Sequence, residues 1–185
     1  MINKCYYKTP IGNICIEAKD GFITALYTCD HEVDITEECD VINNAYKQLL
    51  EYFDGSRKEF DIPIKLVGTE FQLKVWNELK NIPYGETRSY GDIAKYINNP
   101  KASRAIGGAN NKNPIMIIVP CHRVIGVNGK LVGFGAGLDD KKYLLQLEEK
   151  NNNKLWIPQL IQITTVIYNL ETFLKWIWHK IHKIV

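Results

Sequence analysis

Near the start of the chain, apolar and polar side chains alternate in short runs, Cys5 to Lys8, Asn13 to Ala18 and Phe22 to Thr28, with turn residues at Pro10 to Gly12 and Asp20-Gly21. Alternation of period two marks half-buried strands, so the pattern predicts an antiparallel meander. The period then lengthens: Ile42, Ala45, Tyr46, Leu49 and Phe53 recur at helical spacing and stop at Gly55. Glycine commonly ends a helix because it adopts a left-handed backbone at no steric cost, so one helix packed on the sheet is expected. The stretch from Phe60 to Gly68 follows neither period and reads as a linker.

A second block opens with Thr69 and, three residues on, Gln72, ahead of Phe71, Val75 and Leu79 on one face. This is a capping box followed by an amphipathic helix, predicted to reach about Asn81. After Pro83-Tyr84-Gly85, Ser89 and Asp92 form a second box before Ile93, Ala94 and Ile97; Asn98-Asn99-Pro100 ends that helix. Asn99 is expected to cap the next helix, with Pro100 at its first position and Ala102, Ala105, Ile106 and Ala109 following. Two short helices about a tight turn make a helix-turn-helix candidate. Ile115 to Val119 is continuously apolar and is expected to be a buried strand. Val127 to Val132 about Asn128-Gly129 predicts a hairpin, a wing beside the helices, and Leu138, Leu144, Leu145 and Leu147 predict a helix to about Lys150. Three segments are therefore expected: a sheet and helix lobe over 1–65, a second domain over 66–150, and an extension over 151–185.

Composition narrows the class. A chain of 185 residues with 45% hydrophobic content can bury a real core. No apolar run is long enough to span a bilayer, and Met1 to Tyr7 lacks the pattern of a secretory signal, so a cytoplasmic protein is expected. Five scattered cysteines, Cys5, Cys15, Cys29, Cys39 and Cys121, suit a reducing compartment rather than a disulfide framework. Cys5, Cys29, His31 and Cys39 have the right chemistry for a metal but no standard zinc spacing, so no metal is assigned.

The net charge of +2 conceals an asymmetry. Between Cys29 and Ile62 ten acids, Asp30, Glu32, Asp34, Glu37, Glu38, Asp40, Glu51, Asp54, Glu59 and Asp61, face only Lys47, Arg57 and Lys58. Between Leu79 and Leu131 the balance reverses, with Lys80, Arg88, Lys95, Lys101, Arg104, Lys112, Arg123 and Lys130 against Glu86 and Asp92. A phosphate backbone would favour the second half and be repelled by the first.

The chemistry concentrates at Pro120-Cys121-His122-Arg123-Val124. Upstream stand Ser89-Tyr90, the run Arg104-Ala105-Ile106-Gly107-Gly108-Ala109 and Asn113-Pro114; downstream stand Leu144-Leu145 and Glu148. In order and spacing, ungapped from about Gly68 to Lys150, these motifs resemble the O6-alkylguanine-DNA alkyltransferases, or methylated-DNA:protein-cysteine methyltransferases. The resemblance implies an α/β (α+β) fold: a small N-terminal ribonuclease H-like lobe followed by a winged helix-turn-helix-like catalytic domain. It implies transfer of an alkyl group from O6-alkylguanine, with O4-methylthymine a second candidate lesion, to Cys121. His122 would take the thiol proton through a water, Glu148 would orient His122, and Asn113 would tie the reactive turn to the helices. The sulfur is expected to be an accessible thiolate, because displacement at saturated carbon needs a strong soft nucleophile. The thioether product resists water, so each molecule would act once and need no cofactor.

A base inside a duplex hides its O6, so the nucleotide must be extruded. The resemblance assigns Arg104 to the vacated stack and Tyr90 to rotating the phosphate. Ala102, Ser103, Ala105, Gly107, Gly108 and Arg123 complete the expected contact with double-stranded DNA through its minor groove, where small residues permit close approach. Val124, Phe134, Gly135 and Ala136 are the expected walls of the base pocket, with Phe134 where the family usually carries Tyr. Family members end near Lys150. Beyond it this chain adds Trp156, Trp176, Trp178 and a helical pattern of Val166, Leu170, Phe173, Leu174, Ile177 and Ile181. That pattern fits an added packing helix or a partner- or membrane-surface helix. A monomer without an obligate protein partner is expected. Two rival readings are a non-catalytic binder of alkylated bases that recruits other repair factors, and a cysteine hydrolase built on Cys121, His122 and Glu148.

Overall fold

The computed structural model describes residues 2–34 and 39–153; the predicted tail helix lies outside the described residues. Met1–Glu149 form one compact unit. It opens with three antiparallel strands, β1 (Ile2–Thr9), β2 (Gly12–Lys19) and β3 (Phe22–Thr28), in the order β1-β2-β3. The register pairs Cys5 with Ile16 and Tyr7 with Ile14, which brings the apolar alternates onto one face. Helix α1 (Asp40–Asp54) covers that face with Ile42, Ala45, Leu49 and Tyr52, all fully buried, and ends at Gly55 with φ of 82°. Only a residue without a side chain takes that backbone cheaply.

Helix α2 (Glu70–Leu79) begins with the predicted box: Thr69 accepts from the Gln72 N–H at 3.3 Å, and Gln72 accepts from the Thr69 N–H at 2.8 Å. A two-residue strand, β4 (Arg88–Ser89), leads into α3 (Tyr90–Tyr96), where Ser89 and Asp92 form the second box. Buried Val75, Trp76, Leu79, Ile93, Ala94 and Ile106 form the helical part of a core continuous with that under the sheet. The Trp76 indole N–H donates to the Ala109 carbonyl at 2.9 Å and ties α2 to α4 (Ser103–Asn111).

Three local expectations are corrected. Helix α4 starts at Ser103 with no side-chain cap. Asn99 instead closes a turn through its carbonyl to the Ala102 N–H, with Pro100 inside that turn. Ile115 to Val119 is not a strand. Only its beginning pairs, beside β3, through Leu26 N–H to Pro114 at 2.8 Å and Met116 N–H to Leu26 at 3.0 Å, after which Ile117 turns the chain at φ of 69°. A β-branched residue at positive φ is strained and persists only where its surroundings dictate it. Here the Ile117 side chain is 1% exposed, so its burial in the core opposes the backbone cost. The predicted wing hairpin is also absent. Gly126 to Gly129 form a turn, closed by the Gly129 N–H to Gly126 at 2.9 Å, without flanking paired strands. The short β5 (Val124–Ile125) pairs in parallel with β4, and α5 (Leu138–Asn153) follows.

Candidate active site

A single 3-10 turn spans Cys121–Arg123 and so carries the expected nucleophile and its neighbouring histidine. The β4–β5 pairing sets Val124 opposite Arg88 and so fixes this turn against the start of α3. Asn113 uses its whole amide here. Its Nδ2 donates to the Val119 carbonyl at 2.8 Å and to Cys121 Sγ at 3.1 Å, while Oδ1 accepts from the Ile115 N–H at 3.1 Å.

Glu148, on α5, is fully buried and gathers hydrogen bonds from four residues. His122 Nε2 lies 2.8 Å from Oε1, the Tyr52 hydroxyl donates to Oε1 at 2.7 Å, and the Gly85 N–H donates to Oε2 at 3.0 Å. Arg123 adds Nε to Oε2 at 2.9 Å and Nη2 to Oε1 at 3.0 Å. Burial alone would push the carboxyl up, but the hydrogen bonds and charges of His122 and Arg123 outweigh it and hold Glu148 at about 2. An ionised carboxylate only accepts, so the imidazole must donate from Nε2. That assigns the tautomer and leaves Nδ1 as a bare lone pair, without a hydrogen-bond partner among the described residues. Burial also pulls His122 below its ordinary value, against the opposing effect of Glu148, so the ring rests neutral with its Nδ1 lone pair uncommitted.

The sulfur departs from expectation. Cys121 is 4% exposed, and burial pushes its thiol up, against the lowering effects of the Asn113 hydrogen bond, the Lys141 charge and the backbone N–H groups of Cys121 and His122. Cys121 therefore rests as a shielded thiol rather than the expected accessible thiolate.

Arg123 is likewise not a surface contact. It is 6% exposed, its Nη1 donates to the Ile82 carbonyl at 2.6 Å, and its charge is spent on Glu148. Ala102 is buried at 8% and faces the core. Arg104, Ala105 and Gly108 are exposed on α4, with Ser103 and Gly107 half-buried. The Tyr90 hydroxyl donates to the Val132 carbonyl at 3.0 Å. Phe134 sets its ring edge-on to His122, centroids 6.4 Å apart, while Gly135 is exposed, Ala136 half-buried and Val124 fully buried.

Two participants escaped sequence reading. Tyr52 reads as an ordinary core position of α1, yet it brings the first lobe's only described hydrogen bond to Glu148. Lys141 reads as a charged flank of α5, yet it is fully buried and its Nζ donates to the Val124 carbonyl at 2.5 Å and the Val132 carbonyl at 2.9 Å. Burial draws this ammonium down to about 8, against the opposing effect of Cys121. Its charge clamps the loop carrying Phe134 onto the strand after the reactive turn. Among the described residues no group of three or more His, Cys, Asp or Glu is placed to hold a metal ion. No described helix is long and apolar enough to cross a membrane.

The pair sets an acid limit on stability. Both groups have folded values below their ordinary ones, His122 below 6.5 and Glu148 at about 2 rather than 4.5. In each case the unfolded chain takes up a proton first, so stability falls as pH drops, first below 6.5 through the histidine and then between 4.5 and 2 through the carboxylate. Urea midpoints measured from pH 7.5 to 4 should fall monotonically, and substitution of His122 by Gln should flatten the limb near 6.5.

A cysteine held by an amide, followed directly by a histidine whose tautomer a buried glutamate dictates, defines a thiol-nucleophile enzyme, here joined to a short helix pair. The family model described as "6-O-methylguanine DNA methyltransferase, DNA binding domain" matches residues 70–150, and the companion "ribonuclease-like domain" matches residues 2–66. A methylated-DNA–protein-cysteine methyltransferase of Methanosarcina acetivorans is 62% identical over 148 residues, covering 77% of this chain and 95% of that protein. The crystal structure of the Mycobacterium tuberculosis O6-methylguanine methyltransferase superposes with a TM-score of 0.75 at 44% identity, covering 82% of this chain and 94% of that one. The same organism's OGT in complex with DNA gives 0.73 at 45% identity, covering 79% and 92%. The chain belongs to the 6-O-methylguanine DNA methyltransferase family.

Proposed function

We infer that this protein repairs DNA by moving the alkyl group of O6-alkylguanine onto Cys121, once per molecule, after everting the damaged nucleotide. The observation that carries the reading is the bare Nδ1 of His122, the residue that directly follows Cys121, enforced by the Nε2 contact with Glu148 at 2.8 Å. As the alkyl carbon approaches, the thiol proton passes to Nδ1 through a water. The sulfur forms a bond to that carbon, the C–O6 bond breaks with its electron pair going to the base, and the base regains a proton. Charges and atoms balance with no cofactor. Glu148 stabilises the imidazolium formed on the way, much as the carboxylate does in a hydrolase triad. Unlike an ester, the thioether cannot be released by water, which separates this reading from a cysteine hydrolase. Retention of the acceptor separates it from a binding-only protein.

Helix α4 supports minor-groove contact, with Arg104 entering the stack and Tyr90 acting at the phosphate. A Cβ at Gly108 would meet nothing within 4 Å, and one at Gly107 only the Tyr90 ring at 3.8 Å. Internal packing therefore does not require these glycines, although each costs the helix about 1 kcal/mol relative to alanine. Close approach by an external backbone gives them a reason. Gly108→Ala should accordingly raise the thermal midpoint slightly yet weaken binding to duplex DNA, and Arg104→Ala should impair both binding and transfer. A cytoplasmic setting accompanies this reading, since all five cysteines are free of disulfides. The test is stoichiometry: with excess duplex containing labelled O6-methylguanine, label should reach one equivalent per protein and stop, whereas continued turnover would refute the reaction.

A further inference from the structure

How strongly His122 holds a proton depends on what else the Glu148 carboxylate is bonded to. Its two oxygens are loaded differently. Oε2 accepts from the Gly85 N–H at 3.0 Å and from Arg123 Nε at 2.9 Å. Oε1 accepts from His122 Nε2 at 2.8 Å, from Arg123 Nη2 at 3.0 Å and from the Tyr52 hydroxyl at 2.7 Å, the shortest of them. Tyr52 and the imidazole therefore share one acceptor atom, and each bond reduces what that oxygen can offer the other. The phenol is fixed in this role. Tyr52 is fully buried on α1, its ring enclosed by Phe60 at 5.5 Å, Phe53 at 5.6 Å and Tyr84 at 6.0 Å. Burial, then the Glu148 charge, pushes its hydroxyl well above the ordinary value, so Tyr52 stays a donor wherever His122 titrates. Besides Glu148, burial and the charges of Arg123 and of Lys141 on α5 oppose a proton on His122. Tyr84 faces Arg123 at 5.7 Å, and burial pushes the neighbouring Cys121 thiol up.

We propose that Tyr52 is a positioning residue for alkyl transfer: by occupying Oε1 beside the imidazole it limits the charge Glu148 can offer, and so keeps His122 able to accept the thiol proton. The inference rests on the alkyl-transfer reading and deepens it, because it gives a residue of the first lobe a part in the proton transfer. Tyr52 acts through Glu148 alone. Without its hydroxyl the carboxylate would hold the Nε2 proton more tightly and favour the charged ring, which has no lone pair on Nδ1 to take a further proton.

Tyr52→Phe removes the hydroxyl and keeps the ring. Its effect is read by NMR titration of the His122 ring in the free protein from pH 7 to 4, and by single-turnover transfer from a duplex containing O6-methylguanine over the same range. Lys141, at about 8, and the raised Cys121 titrate above that window, and Glu148, at about 2, below it. The His122 midpoint should rise by about half a unit or more, and the acid limb of the transfer rate should rise with it. At pH 7 the two proteins should transfer within about threefold of each other. Tyr52→Met should shift the midpoint the same way should phenylalanine fold poorly. Leu49→Val, which takes one methylene from the same buried face of α1, should lower the thermal midpoint and leave the His122 titration in place. A variant ring that titrates at or below the wild-type midpoint, or that like the wild type stays neutral to pH 4, overturns the proposal. So does a shifted ring with an unshifted transfer limb, or an equal shift in Leu49→Val. Absence of any wild-type transfer overturns the alkyl-transfer reading, while the ring titration still decides whether Tyr52 governs His122.

Discussion

Glu148→Gln should unfold much of the protein's stability margin and stop alkyl transfer together. The carboxylate is the counter-charge of buried Arg123 and accepts from Tyr52, Gly85 and His122 as well. Removing one partner of a buried ion pair costs about 3–5 kcal/mol, because the remaining charge is left without compensation in a low-dielectric interior. Against a typical total of roughly 5–15 kcal/mol, that is a large fraction. The amide can also offer an N–H to Nε2, which permits the imidazole tautomer in which Nδ1 is the donor and His122 can no longer accept the thiol proton. Denaturant midpoints and single-turnover rates separate the two effects. Adding Arg123→Met to Glu148→Gln should restore much of the stability by removing the orphaned charge, and should not restore the rate. Recovery of both would show that Glu148 serves the fold alone.

Cys121→Ser should abolish transfer with little change in fold. The hydroxyl can still accept from Asn113, so the thermal midpoint should stay close to that of the parent. An alcohol is far weaker than a thiol as a nucleophile toward saturated carbon, and a neutral imidazole cannot ionise it to a useful extent. The expected loss is on the order of ten-thousand-fold or beyond detection. Binding to the lesion-bearing duplex should persist, since the sulfur is not among the groups offered to the phosphates. Residual transfer within a hundredfold of wild type would point to a different acceptor.

Much of the scaffold could be read locally. The two capping boxes, at Thr69 with Gln72 and at Ser89 with Asp92, formed as predicted because each needs only residues three apart. Gly55 ended α1 for an equally local reason. The misreadings share a different cause, dependence on distant partners. Five consecutive apolar residues from Ile115 say only that the segment is buried, and period cannot tell a strand from a tight turn whose strained Ile117 is held by the core. Asn128-Gly129 correctly marked a turn, but the flanking residues had no strands to join.

Arg123 counted as one more basic residue in a basic half because its partner, Glu148, lies 25 positions away and the sequence offers no sign that both are buried. Ala102 was grouped with the small residues of α4, yet its position before the helix turns it inward. Cys121, His122 and Glu148 were legible only through several motifs recurring together in order. By themselves they are an adjacent pair and a distant acid. Tyr52 and Lys141 carried no pattern at all, since each occupies a helical position where its type is unremarkable. Their roles emerge from what surrounds them: a carboxylate and two carbonyls.

The most direct measurement is to react the protein with one equivalent of duplex containing O6-methylguanine, digest it and weigh the peptides. The account predicts that the peptide bearing Cys121 alone gains one methylene unit, in proportion to the guanine restored. A gain on Cys5, Cys15, Cys29 or Cys39, or restored guanine with no modified cysteine, would contradict it.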